Sequence, residues 1–121
     1  MKAVFISRHA LSESQHALLN KACFVGEDMQ DFDAFASESE LKQLVKTLRD
    51  ADVKMVITVH QLLALRLSKD FLIGTFNNVN RAKIGERPDF ETTQLVIVDN
   101  VPRIGAWDLL YNHDMTVVDN Q

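Results

Sequence analysis

The chain has 121 residues and a formal net charge of −4, a length that fits one domain able to bury a core without disulfides or a structural metal. An acidic balance speaks against a protein that coats DNA or RNA nonspecifically, because phosphate neutralisation dominates that affinity and calls for a basic excess. Cys23 is the one cysteine, so no intramolecular disulfide is possible, and no apolar run approaches the roughly 20 residues of a membrane helix.

Residues 2–7 (KAVFIS) form an apolar run with β-branched and aromatic members, which predicts a strand buried on both faces. Arg8 and His9 interrupt this stretch, so it does not read as a signal peptide, and a cytoplasmic protein with no membrane association is expected. Ser12 with Gln15 three positions later has the spacing of a capping box. The helix it opens should reach about Lys21, with Leu11, Ala17 and Leu18 facing inward. ACFV (22–25) reads as a short second strand with Cys23 as a small core side chain. The stretch that follows holds Glu27, Asp28, Asp31, Asp33, Glu38 and Glu40 without a basic residue. It reads as a solvated acidic loop over 27–40, with Phe32 and Phe35 folding back onto the core.

Ser37 or Ser39 should cap the next helix, in which Leu41, Leu44, Val45 and Leu48 recur at helical spacing. Asp50 and Asp52 end it. VKMVITV (53–59) reads as a third, central strand, and His60 and Gln61 lead into a short helix. FLIGTF (71–76) and TTQLVIVDN (92–100) read as strands four and five. Gly85 and Pro88 signal a turn between them, and the connection is too short for a crossover helix, so the pair should be an antiparallel hairpin. Beyond Pro102 lies a C-terminal arm with Trp107, Leu109, Leu110 and Tyr111 available for packing.

Alternating strands and helices predict a three-layer, Rossmann-like α/β fold with a mostly parallel five-stranded sheet. The expected strand order is 2-1-3-4, with the fifth strand antiparallel at the edge. No repeat, linker or low-complexity segment divides the chain, so residues 1–121 are expected to form a single domain.

In open α/β sheets ligands bind outside the carboxyl ends of the strands. Three segments should meet there: Ser7, Arg8 and His9 after strand one, His60 and Gln61 after strand three, and Asn77, Asn78, Asn80 and Arg81 after strand four. Helix N-termini would point to the same rim and offer N–H groups to an anion. Arg8 and Arg81 suit bidentate phosphate contacts, and His9 or His60 suits proton transfer near neutral pH. Each residue also has a plainer reading: Arg8 as a surface cation, His9 and His60 as loop or helix caps, the asparagines as turn formers. No dinucleotide fingerprint, P-loop, H-E-x-x-H or G-x-S-x-G is present, and the histidines lack metal-ligand spacing. Neither cofactor nor metal is expected.

The segment VFISRHALSES (4–14) resembles the start of the histidine phosphatase superfamily, and VITVHQ (56–61) resembles the strand that carries its second histidine. The family's glycines after these histidines are replaced here by Ala10 and Gln61. Hydrolysis of a phosphomonoester is what this resemblance implies. A second resemblance covers most of residues 2–98. A first strand ending in His9, then Leu11, Ser12 and Gln15, then TFNNVNRAKIGERPDFETTQLVIV (75–98), is similar to small CRISPR-associated CARF-like proteins of the ring-nuclease type. It implies an antiviral-defence homodimer that binds a cyclic oligoadenylate second messenger and cleaves it without metal, through attack of a ribose 2′-OH on its own neighbouring phosphate. The catalytic positions it implies are His9 and Arg8, and the ligand-binding ones include Ser7, Asn78 and Arg81. A third possibility is a non-catalytic interaction protein of phage or defence context, using the acidic loop 27–40 or the aromatics at 107–111.

Overall fold

Strand β1 (Lys2–Ile6) buries residues 3–6 without interruption, because each of its faces meets a separate core. Val4 and Ile6 join one apolar cluster, Ala3 and Phe5 the other, as the two-residue period of a strand requires. The computed structural model describes residues 1–98 and 115–119. After β1 come α1 (Glu13–Lys21), β2 (Val25–Met29), α2 (Glu38–Asp50), β3 (Val53–Ile57), α3 (Gln61–Leu67), β4 (Leu72–Asn80), β5 (Phe90–Val98) and β6 (Met115–Asp119). The fold is α/β with a six-stranded mixed sheet in the order β2-β1-β3-β4-β5-β6. Strands β1 to β4 pair in parallel, whereas β5 runs antiparallel to both β4 and β6. Among the described residues no helix is long and apolar enough to cross a membrane.

Helix α1 packs Leu18 and Leu19 with Leu11 on the face of Ala3 and Phe5. Helices α2 and α3 cover the opposite face through Leu41, Leu44, Leu48, Leu63, Ala64 and Leu67. Both ends of α1 are well capped. Ser12 Oγ accepts from the Gln15 N–H while Gln15 Oε1 accepts from the Ser12 N–H, a reciprocal capping box. Ser37 caps α2 in the same way at its own side chain, accepting from the Glu40 N–H.

The predicted strand at 22–25 is instead the stop signal of α1. The Cys23 N–H donates to the Asn20 carbonyl at 3.0 Å and the Phe24 N–H to the Leu19 carbonyl at 2.8 Å, the two hydrogen bonds of a Schellman motif. Cys23 lies in the left-handed region at φ 66°, and its side chain is exposed rather than in the core. Phe24 carries the burial of this turn, packing in the cluster that holds Leu19. A glycine there would have announced the turn; cysteine does not. The strand starts later, at Val25, and takes in Glu27, Asp28 and Met29 from the expected acidic loop. Edge placement explains this, since among the described residues β2 pairs only with β1 and its charged side chains reach water.

Other expectations are corrected as well. Ala17 is exposed and Leu19 takes its place inside. Phe32 packs against the core, but Phe35 is 83% exposed. Arg66 on α3 holds that loop by donating to the Ala34 carbonyl at 2.8 Å and pairing with Glu38 at 3.2 Å. The sheet has a sixth strand, so β5 is internal and, among the described residues, β6 forms the edge. Its sequence, MTVVD, supplies the β-branched residues of a strand but is too short to stand out in a C-terminal arm. Trp107, Leu109, Leu110 and Tyr111 lie outside the described residues.

Only Leu72, Ile73 and Gly74 of β4 pair with β3. Residues 75–80 continue past the end of β3, paired to β5, with β6 on the far side of β5 as far as Gln94 and a two-stranded ribbon only at residues 78–80. At the rise of an extended chain this overhang is roughly 20 Å long.

Two stability measurements check this description. Replacing Cys23 by glycine should stabilise the protein by about 1 kcal/mol, because the left-handed turn then carries no Cβ penalty; a higher urea midpoint at unchanged slope is the expected readout. At Gly26 a Cβ would stand 2.6 Å from Leu19 Cδ1 and 2.8 Å from Leu11 Cδ1. Gly26→Val should therefore cost about 1–3 kcal/mol through overpacking beneath α1, and a midpoint equal to wild type would show that α1 does not sit as described.

Candidate functional site

The carboxyl ends of β1 and β3 finish in the same local device. Ser7 follows β1, and its Oγ accepts from the His9 N–H at 3.1 Å. Thr58 follows β3, and its Oγ1 accepts from the His60 N–H at 3.2 Å. A short hydroxyl side chain that bonds to the backbone two residues on forms a turn, so the segments Ser7-Arg8-His9 and Thr58-Val59-His60 leave the sheet in matching fashion. The first loop is tied at both ends. The Ser7 N–H donates to the Met29 carbonyl at 3.2 Å, and the Leu11 N–H to Asp28 Oδ1 at 2.7 Å. Arg8, His9 and Ala10 lie between these anchors and are exposed.

These loops open onto a cleft of about 800 Å³ whose further wall is the β4–β5 ribbon. Ser7, Arg8, His9, His60, Asn78 and Arg81 all line it. Gln61, the first residue of α3, is exposed but is not part of the lining. Asn77 and Asn80 serve the ribbon instead: the Asn77 amide donates to Gln94 Oε1 at 2.9 Å, and Asn80 Oδ1 accepts from the Ala82 and Asp89 N–H groups at 3.0 Å. A register shift falls between Asn77 and Asn78, where β5 carries one extra residue, Thr93. Phe5 also lines the cleft and packs edge-on against Phe76, with ring centroids 5.8 Å apart.

The start of α1 borders the cleft through Ser12, Ser14 and Gln15. Its capping box already occupies the Ser12 and Gln15 N–H groups, so less of the helix terminus is open to an anion than the sequence implies. Gln15 does more than cap. Its Nε2 donates to Thr92 Oγ1 at 3.0 Å, and the Thr92 hydroxyl donates to Asn78 Oδ1. Helix α1 is thereby joined to the overhanging ribbon through a threonine only 5% exposed.

Arg81 Nε donates to Glu91 Oε2 at 2.9 Å across the ribbon. Arg8 makes no ion pair with the described residues. His60 Nε2 stands 3.8 Å from Asp31 Oδ1, and its imidazole makes no cap hydrogen bond to α3. Asp31, Asp89, Phe90, Glu91 and Thr92 line the cleft although the sequence did not single them out for it. The long β4–β5 pairing brings the last four there, and no local pattern marks it. Among the described residues no three side chains of the histidine, cysteine or carboxylate type could together hold a metal ion. Comparison of the chain with protein-family models, curated proteins and solved structures found no match.

The tie between α1 and the ribbon is testable by removing one hydroxyl. Thr92→Val keeps the shape but leaves the Gln15 amide and Asn78 Oδ1 without their partner, which should cost about 1–3 kcal/mol. Denaturant unfolding reads the loss, and an unchanged free energy would mean that the link is not made in solution.

Proposed function

We propose that the cleft binds a cyclic oligoadenylate and cleaves it without a metal ion, as a ring nuclease. One observation carries this reading: Ser7, Arg8 and His9 from β1, His60 from β3, and Asn78 and Arg81 from the β4–β5 ribbon line the same open cleft. The resemblance of the first strand with His9, Leu11, Ser12 and Gln15, and of residues 75–98, to CARF-like proteins gives that convergence its chemical meaning. In this reading the fold is a three-layer, Rossmann-like one. Four parallel strands in the order 2-1-3-4 and apolar cores on both faces support that view. The ring-shaped ligand would lie across two such clefts in a homodimer, inside the cell where a second messenger acts.

The chemistry asks little of the protein beyond orientation and charge stabilisation. The ribose 2′-oxygen bonds to the adjacent phosphorus, and the bond from phosphorus to the 5′-oxygen breaks. His9 takes the proton of the 2′-hydroxyl, and Arg8 balances the charge that grows on the non-bridging oxygens. His60, or a water, returns a proton to the departing 5′-oxygen. The products are a 2′,3′-cyclic phosphate and a 5′-hydroxyl, so no water is consumed and no electron changes hands.

Incubation with cyclic oligoadenylates in EDTA, followed by chromatography, should yield linear products ending in a 2′,3′-cyclic phosphate. His9→Ala should slow their formation by about 10²–10⁴-fold. Turnover of a phosphomonoester through a phosphohistidine at His9 would point to the phosphatase chemistry instead. No turnover of either substrate, with a protein partner retained, would point to an interaction protein.

A further inference from the structure

The charges in the cleft restrict what it can hold. Arg8 and Arg81 are the cations among its described lining residues, and the carboxylates of Asp31, Asp89 and Glu91 share the walls with them. Arg81 is engaged by Glu91 at 2.9 Å, with both side chains about half exposed. Asp31 stands beside His60 at 3.8 Å. Arg8 is left as the cation that pairs with no carboxylate of the described residues.

We infer that each cleft recognises its ligand through one singly charged phosphodiester held at Arg8, and selects against doubly charged terminal phosphates. This rests on the reading of the cleft as a nucleotide site and names the kind of phosphate it takes. An internal phosphodiester carries one negative charge, which one guanidinium matches in number and, through its paired N–H groups, in geometry. A terminal phosphate carries close to two at neutral pH. Its second charge would share the cleft with Asp89, whose carboxylate pairs with no described cation, while the charge of Arg81 is taken up by Glu91. Like charges that share one partly exposed site disfavour one another by about tenfold in affinity. A closed ring of nucleotides has no terminal phosphate, so this filter passes the ring and rejects linear 5′- or 3′-phosphorylated fragments and nucleoside triphosphates.

The test uses two probes that the proposed chemistry cannot cleave. One is 2′-O-methylated adenylyl-(3′→5′)-adenosine, and the other is the same dinucleotide with a 5′-phosphate. Calorimetric titration of the wild-type protein should give a dissociation constant about tenfold lower for the first. The double variant Asp89→Asn, Glu91→Gln should lose that preference, since it removes the repulsion and frees Arg81. Arg8→Ala should abolish binding of both probes. Equal or tighter binding of the phosphorylated probe by the wild type, or no binding of either, would overturn the inference; so would a preference that persists in the double variant. Because the methylated probes stay intact, absence of ring cleavage bears on the proposed function alone and is read separately.

Discussion

Strand β4 has nine residues beside a parallel neighbour of five, and pairs with it over only its first three. The surplus would be a bare edge on both sides were it not for β5, which matches it to Asn80. Backbone hydrogen bonding therefore forces the two strands to leave the sheet together. A two-stranded ribbon alone is marginal in water, and this one is tied to α1 where Thr92 joins Gln15 to Asn78. The wall of the cleft depends on that length mismatch and on that one buried hydroxyl.

The loops that face the wall are fixed by equally local means. Ser7 and Thr58 each turn the chain by accepting a hydrogen bond from a histidine N–H two residues on. The His9 imidazole is thus positioned through its backbone, whereas the His60 ring also stands 3.8 Å from Asp31 Oδ1. Arg8 lies in a short span between an anchored Ser7 and an anchored Leu11. Orientation is built into the strand ends, and both histidines line the cleft.

Much of this was legible in the residues. The apolar run of β1, the Ser12 and Gln15 capping box and the stripe on α2 follow from local periodicity and turn chemistry, whereas the strand order 2-1-3-4 is an expectation from the βαβ pattern that no local signal fixes. The rim that gathers Ser7, Arg8, His9, His60, Asn78 and Arg81 follows from the rule that strand ends face one way. What failed had non-local or atypical causes. The turn at Cys23 hides because cysteine stands where glycine is usual. The sixth strand is five residues long and takes its meaning from pairing with β5. Asp89, Glu91 and Thr92 reach the cleft only because a hairpin folds back over a distance no spacing rule measures. Gln15 looked complete as a cap, yet its amide has a second bond to a residue 77 positions away.

The Schellman turn after α1 leaves the Cys23 sulfur in solvent at the amino end of β2, whereas the cleft opens at the carboxyl ends of β1 and β3. The length of β1, five residues, separates these ends by roughly 17 Å. The chain thus carries its one thiol as a natural attachment point remote from Arg8 and His9. A fluorophore or spin label coupled there would follow tumbling and assembly in solution while leaving the cleft chemically untouched.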